Sequence, residues 1–90
     1  MKTIHCKKNK STKIISNIGR GYPQDFHVSI TSASGEKISG TYCEKRYFWI
    51  FPKTPITGKL NDKMQFHRQW INGIYSVSII PDSDVTVQIN

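Results

Sequence analysis

The chain has 90 residues, of which 13 are Lys or Arg and 6 are Asp or Glu, and its net charge is +7 at pH 7. This length allows one domain, 1–90, and 37% hydrophobic residues are enough for one small core, which excludes wholesale disorder. The sequence shows neither an apolar run long enough to span a membrane nor a secretory signal, so we expect a cytoplasmic protein without a membrane partner.

Most of the net charge lies at the start of the chain. Residues 1–20 carry six basic side chains and no acidic one, and they form a basic N-terminal segment. Short apolar pieces at 3–4 and 14–15 predict either a short pair of strands or a half-ordered arm. Because unopposed lysines attract polyanions, this segment predicts an anionic partner.

A loop is predicted over 19–23, because its two glycines favour turn geometry and its proline lacks an amide donor. Phe26, Val28 and Ile30 then alternate with polar residues, a pattern typical of a half-buried strand. Residues 32–35 predict the turn that follows this strand.

The stretch 37–51 is long and β-rich, and its last part, 47–51, is apolar on both faces. Such a segment predicts a central strand covered on both sides, or a strand with one face left open for a partner. Lys45, Tyr47 and Trp49 share one side of it, which combines a cation with two aromatic rings.

Residues 52–63 predict a connection, because two prolines open the segment. From Leu60 to Ile71 the apolar spacing fits either a helix or a strand. We favour the strand, because Asn72-Gly73 is typical of the two-residue turn of a hairpin and β-rich sequence lies on both sides of it.

The end of the chain contains two alternating segments, 75–79 and 85–89, and 81–84 predicts a tight turn that joins them as a hairpin. An odd-length turn places the apolar residues of both segments on one face. The whole sequence predicts an all-β fold, a small antiparallel barrel or sandwich of five to seven short strands, with at most one short helix between Leu60 and Ile71.

The residues that could carry chemistry are few. Cys6 and Cys43 are expected to be free thiols, and the histidines lie singly along the chain, so neither a metal nor a cofactor is predicted. His27 or His67 could serve a small ribonuclease toxin as general acid and base, if a cation such as Arg68 held the phosphate.

The favoured function is a small non-enzymatic binding module for nucleic acid, either RNA or DNA, because lysines next to aromatic rings suit phosphates and stacked bases. The predicted contact residues are Lys7, Lys8, Lys10, Lys13, Arg20, Lys45, Arg46, Tyr47, Trp49 and Lys53.

One alternative to nucleic-acid binding is a protein–protein inhibitor or adaptor, of the kind found among small phage and mobile-element proteins. It would bind a host protein through the exposed aromatics of 47–51 or through an open sheet edge. In the simplest interpretation Tyr47 and Trp49 fill the core, and the lysines only keep the protein soluble.

Overall fold

A computed structural model describes residues 2–32, 35, 37–48, 50–61 and 64–90. These residues form strands and no helix: β1 (Lys2–Cys6), β2 (Thr12–Ser32), β3 (Gly40–Phe48), β4 (Phe51–Pro52), β5 (Ile56–Lys59), β6 (Gln65–Pro81) and β7 (Val85–Ile89). The strands pair antiparallel in the order β1-β7-β2-β6-β3-β4, and β5 also pairs with β3. The predicted all-β fold is confirmed, as is the strand that follows Leu60 in place of a helix.

Two of the strands are long, with 21 residues in β2 and 17 in β6. The predicted loop at 19–23 lies inside β2 and the predicted turn at Asn72-Gly73 lies inside β6, so both predictions are wrong. Gly19 and Gly73 oppose each other, and the register of β2 shifts just beyond them. Gly73 has a φ of 89°, which favours glycine. The residues that suggested turns therefore form a bend in two paired strands.

Because of this bend, the two halves of β6 have different neighbours. The second half pairs with the first half of β2 and with β3, whereas the first half pairs with the second half of β2, which continues to β7 and β1. Side chains from the two halves then meet: Glu44 on β3 accepts a hydrogen bond from Arg68, and the rings of Phe26 and Tyr75 lie 5.9 Å apart. The sheet therefore folds into a first layer, β2–β6–β3–β5, and a second layer, β1–β7–β2–β6.

One core lies between the two layers. Its buried apolar residues are Cys6, Ile14, Ile15, Val28, Ile30, Ile38, Leu60, Tyr75, Val77, Ile79, Val85, Val87 and Ile89. The apolar residues of 75–79 and 85–89 all face this core. The predicted hairpin between these segments is wrong, however, because β7 pairs with β1 and β2 and not with β6. Likewise, β1 and the start of β2 are both strands but do not pair with each other.

The apolar residues Tyr47, Phe48, Ile50 and Phe51 lie in a hairpin at the end of β3 and not in a central strand. The pairing of β3 with β6 ends at Arg46, and beyond it Phe48 of β3 opposes Phe51 of β4. Ile50 in the connecting turn is 83% exposed and Phe51 is 66% exposed. The hairpin therefore carries apolar side chains past the end of the sheet.

Some predicted features are described only in part. Trp49 lies outside the described residues, as do Ala33 and Ser34 of the predicted turn. The stretch 52–63 contains the end of β4 and all of β5, so it is more than a connection.

Candidate nucleic-acid interface

The outward side of the first layer brings basic and hydroxyl side chains together. Residues directly opposite each other in an antiparallel pair point to the same side of the sheet. Lys13 opposes Ser78, which opposes Cys43 on the other neighbouring strand, and Ser76 likewise opposes Lys45. We call this surface the basic face. Its residues are Lys13, Ser16, Thr41, Cys43, Lys45, Thr57, Lys59, Ser76, Ser78 and Ile80.

The three lysines of the basic face, Lys13, Lys45 and Lys59, are all exposed. None of these residues is a carboxylate, and Glu44, between two of them on β3, is buried in the core. A groove of 510 Å³ lies on the basic face, and Thr57 and Lys59 are among its lining residues. Asp82 lies at one end of the face, where it lines a second groove with Thr41, Lys59 and Ile80. Ammonium groups beside hydroxyl donors are the groups that proteins use to contact phosphate oxygens.

Sequence reasoning identified two of these lysines and missed the third. Lys13 and Lys45 were both predicted contacts, but Lys59 lies in the stretch that was interpreted as a connection. The alternation of Thr57 and Lys59 with less polar neighbours was the signal that could have indicated a strand there.

The other predicted contact residues on β2 and β3 lie at the edge of the basic face or away from it. Arg20 is on the same side of β2 as Lys13 but about 23 Å further along the strand, at a rise of about 3.3 Å per residue. Arg46 is on the inward side of β3 and donates through Nη2 to the carbonyl oxygen of Thr54 at 3.2 Å. Tyr47 is half-buried on the next outward position after Lys45.

Lys53 belongs to the hairpin and not to the basic face. Its Nζ lies 5.9 Å from the centre of the Phe48 ring, and its amide donates to the carbonyl oxygen of Arg46. The cation is therefore held beside the exposed apolar tip.

The lysines of the N-terminal cluster, Lys7, Lys8 and Lys10, lie in the turn between β1 and β2. This turn contacts the acidic turn that precedes β7, because the amide of Lys8 donates to Oδ1 of Asp84 at 2.9 Å. Lys7 and Asp84 also line one small groove. Nearby carboxylates lower the local positive potential, so this cluster is less strongly cationic than the sequence alone indicates.

Both cysteines are free thiols. Cys6 is buried in the core, and burial raises the pKa of its thiol. Cys43 is partly exposed on the basic face and lines the groove. The chain thus holds one accessible and one protected thiol.

An ion pair with a buried carboxylate and a partly exposed guanidinium lies beneath the basic face. Glu44 is 1% exposed, and its Oε1 accepts hydrogen bonds from Nε of Arg68 at 2.9 Å and from the Tyr75 hydroxyl at 2.5 Å. Sequence reasoning treated Arg68 as a possible phosphate holder, but its guanidinium is directed at this carboxylate. The position of Glu44 between the inward residues Tyr42 and Arg46 was the available signal.

Tyr75 couples the stability of this cluster to pH. Burial, followed by the hydrogen bond to Glu44, raises the pKa of Tyr75 above its usual 10.0. The unfolded chain therefore ionises this phenol near pH 10 while the folded chain keeps the proton, so this contribution to stability is complete below pH 10 and is lost as the pH rises further. The raised pKa of Cys6 acts in the same direction above its usual 9.0.

Tyr75→Phe is accordingly expected to lower the free energy of unfolding at pH 7 by about 1–3 kcal/mol, because Glu44 loses one donor. It should also reduce the decline in stability above pH 10. Urea unfolding at pH 7, 9, 10 and 11 measures both effects, and Tyr22→Phe, which changes an exposed phenol, is the control. An unchanged alkaline decline in Tyr75→Phe contradicts the assignment.

The second layer carries a stacked pair of histidines on its outward side. His27 and His67 oppose each other, their ring centres are 4.3 Å apart, and Nε2 of His67 lies 3.1 Å from Oδ1 of Asp25. The adjacent groove of 330 Å³ is lined by neutral polar residues such as Gln65 and by no described Arg or Lys. Arg68, the cation predicted for a ribonuclease, donates through Nη1 to the backbone carbonyl oxygen of His67 at 3.0 Å, but it also pairs with Glu44 on the inward side of the sheet.

The described part of the chain shows neither a metal site nor a membrane-spanning helix. No three of its His, Cys, Asp or Glu side chains are grouped to hold a metal ion, and no helix in it is long and apolar enough to span a membrane.

Comparison with known proteins identifies no relative of this chain. Protein-family models, curated proteins and solved structures were all compared with it, and none of them matches.

Proposed function

We propose that this protein is a non-enzymatic binding module whose basic face contacts the sugar-phosphate backbone of a nucleic acid. The observation that carries the proposal is the placement of Lys13, Lys45 and Lys59 on one outward sheet surface that has no carboxylate of its own. Backbone contacts of this kind depend on charge and hydroxyl donors and carry little sequence information.

The layout of the face supports a chain-like ligand. Lys13 and Lys45 lie on strands to either side of β6, and Lys59 lies one strand further out on β5. Strands in a sheet are about 4.8 Å apart, so the strands that carry Lys13 and Lys59 are about 14 Å apart, a width that can span several phosphates of one backbone. Ser78, which lies between the lysine-bearing strands and is half-buried, can donate its hydroxyl to a phosphate oxygen, whereas Ser76 beside it is buried.

The main test replaces the three lysines of the basic face together. Lys13→Gln, Lys45→Gln and Lys59→Gln in one variant is expected to weaken binding to DNA and RNA oligonucleotides at least about tenfold at 0.1 M salt. The slope of log affinity against log salt should fall by about 2–3, because each lost phosphate contact removes nearly one counterion. Fluorescence anisotropy at several salt concentrations measures both quantities.

A matched control removes the same charge elsewhere. The variant with Lys7, Lys8 and Lys10 changed to Gln also loses three cations, but from the turn beside Asp84. It is expected to weaken binding less than the first variant, although by a similar factor on every sequence. Equal losses in the two variants indicate attraction by net charge alone and contradict a localised face.

Cys43 offers a second readout within the same experiment. A bound oligonucleotide should slow alkylation of Cys43 by a maleimide, while the buried Cys6 stays unreactive with or without ligand. If wild-type protein binds neither DNA nor RNA at low salt, the proposal is wrong.

A further inference from the structure

A second exposed surface differs from the basic face in its chemistry. Most of the large apolar side chains that the described residues expose lie at the bend of β2 and β6 and on the neighbouring hairpin tip. We call this surface the apolar end. Its residues are Ile18, Phe48, Ile50, Phe51, Ile71 and Ile74.

These residues lie on both sides of the first layer at its bend. Ile18 opposes Ile74 on the outward side of β2 and β6, whereas Phe48, which opposes Phe51 across the hairpin, continues the inward side of β3 beyond Arg46. Phe48 and Ile71 line one shallow depression of 270 Å³, which joins the hairpin to the bend. The exposed apolar side chains at and beside the hairpin tip therefore form a cluster, and such clusters mark interaction sites.

The shape and composition of the patch identify its ligand. Ile50 lies in the hairpin turn, so the most exposed apolar residue is also at a convex tip. Ile50 has no ring on which a base could stack, and Phe51 beside it is an aromatic residue typical of surfaces that enter the headgroup boundary of a lipid layer. A convex apolar tip matches the disordered hydrocarbon of a lipid layer, which can close around a protruding group.

A cation lies beside the tip. The Nζ of Lys53 lies 5.9 Å from the centre of the Phe48 ring, and Lys45 precedes the hairpin on β3. The sequence 45–61 contains no Asp or Glu. Lysines are depleted at protein–protein interfaces but are typical of surfaces that meet anionic lipid headgroups.

We propose that the apolar end inserts into the headgroup region of an anionic lipid bilayer, with Ile50 and Phe51 entering the hydrocarbon boundary and Lys53 contacting headgroup phosphates. A surface-bound protein needs no apolar span, so the expectation of no membrane partner, which rested on the absence of such a span, does not bear on this site. The proposal does not depend on nucleic-acid binding by the basic face.

The test measures sedimentation of the full chain with vesicles of phosphatidylcholine alone or mixed with phosphatidylserine. Wild-type protein should bind the mixed vesicles and bind neutral vesicles several-fold more weakly, because each lysine near the surface adds attraction to anionic lipid. A double variant, Ile50→Ser with Phe51→Ser, should lower the partition constant at least about tenfold, since two apolar side chains no longer enter the bilayer.

Ile80→Ser is the matched control. Ile80 is also an exposed isoleucine, but it lies at the other end of β6, opposite Thr41, so this variant should bind vesicles like wild type. The hairpin tip pairs with neither β2 nor β6, so the double variant is expected to keep the fold, as checked by circular dichroism. Oligonucleotide binding should be unchanged in it.

Two results overturn the proposal. One is failure of wild-type protein to bind phosphatidylserine vesicles at low salt, or equal binding by the double variant. The other is self-association of wild-type protein, measured by analytical ultracentrifugation, that disappears in the double variant. In that case a second copy of the chain, and not a lipid layer, covers the apolar end.

Discussion

Glu44→Ala is expected to lower the free energy of unfolding by about 2–3 kcal/mol, the cost of leaving hydrogen-bond donors without a partner when one of them, Arg68, is 39% exposed and can be rehydrated. The carboxylate is 1% exposed and accepts from both Arg68 and Tyr75, so its loss leaves a guanidinium and a buried hydroxyl without their acceptor. Urea unfolding at pH 7 gives the free energy. Glu44→Gln keeps the shape and one acceptor, and it remains measurable if the alanine variant does not fold.

Three comparisons separate this effect from a general loss of charge. Asp25→Asn removes the partner of His67, but both of those side chains are 52% exposed, so less than about 1 kcal/mol should be lost. The triple replacement of Glu44→Leu, Arg68→Met and Tyr75→Phe should recover much of the stability, because apolar residues of similar volume then replace the whole cluster and no buried donor is left without an acceptor. A Glu44→Ala variant within 0.5 kcal/mol of wild type contradicts a buried, hydrogen-bonded carboxylate.

Gly19→Ala is expected to lower the free energy of unfolding by about 3 kcal/mol through a steric clash. A Cβ built on Gly19 lies 2.3 Å from the carbonyl oxygen of Ile71, which belongs to the backbone of the paired strand. That atom cannot move aside without disturbing the pairing of β2 with β6. The bend that places the two layers face to face is therefore sensitive to a single methyl group.

Gly21→Ala is the matched control for this prediction. Gly21 has a φ of 95°, but its added Cβ meets only a side-chain atom of Asn72 at 3.8 Å. Its replacement should cost about 1–2 kcal/mol, from backbone conformation alone. Urea unfolding of both variants gives the comparison, and a Gly19→Ala variant no less stable than Gly21→Ala means that the strands are further apart than described.

Local alternation of apolar and polar residues was sufficient to predict the strands around Val28, Val77 and Val87, because burial on one face of a strand depends on neighbouring residues only. The pairing of those strands was not predictable in this way. Lys13 opposes Ser78 and Val28 opposes Ile89, so the neighbours are brought together by contacts far apart in sequence.

The two glycine signals were misread for a physical reason. Glycine at a positive φ serves a tight turn and a bulge equally well, and only the pairing of Gly19 with Gly73 distinguishes the two. The candidate site was predicted only in part. The charges of Lys13 and Lys45 can be identified from the sequence, but their position on one face and the contribution of Lys59 depend on the order of the strands in the sheet.

The position of β7 has a consequence for how the chain folds. β7 lies between β1 and the second half of β2, and Lys2 opposes Ile89 near the two ends of the chain. Closing so long a stretch of chain costs conformational entropy before any pairing contact compensates for it. We therefore expect folding in milliseconds to seconds, with a late, cooperative step in which docking of β7 completes the second layer.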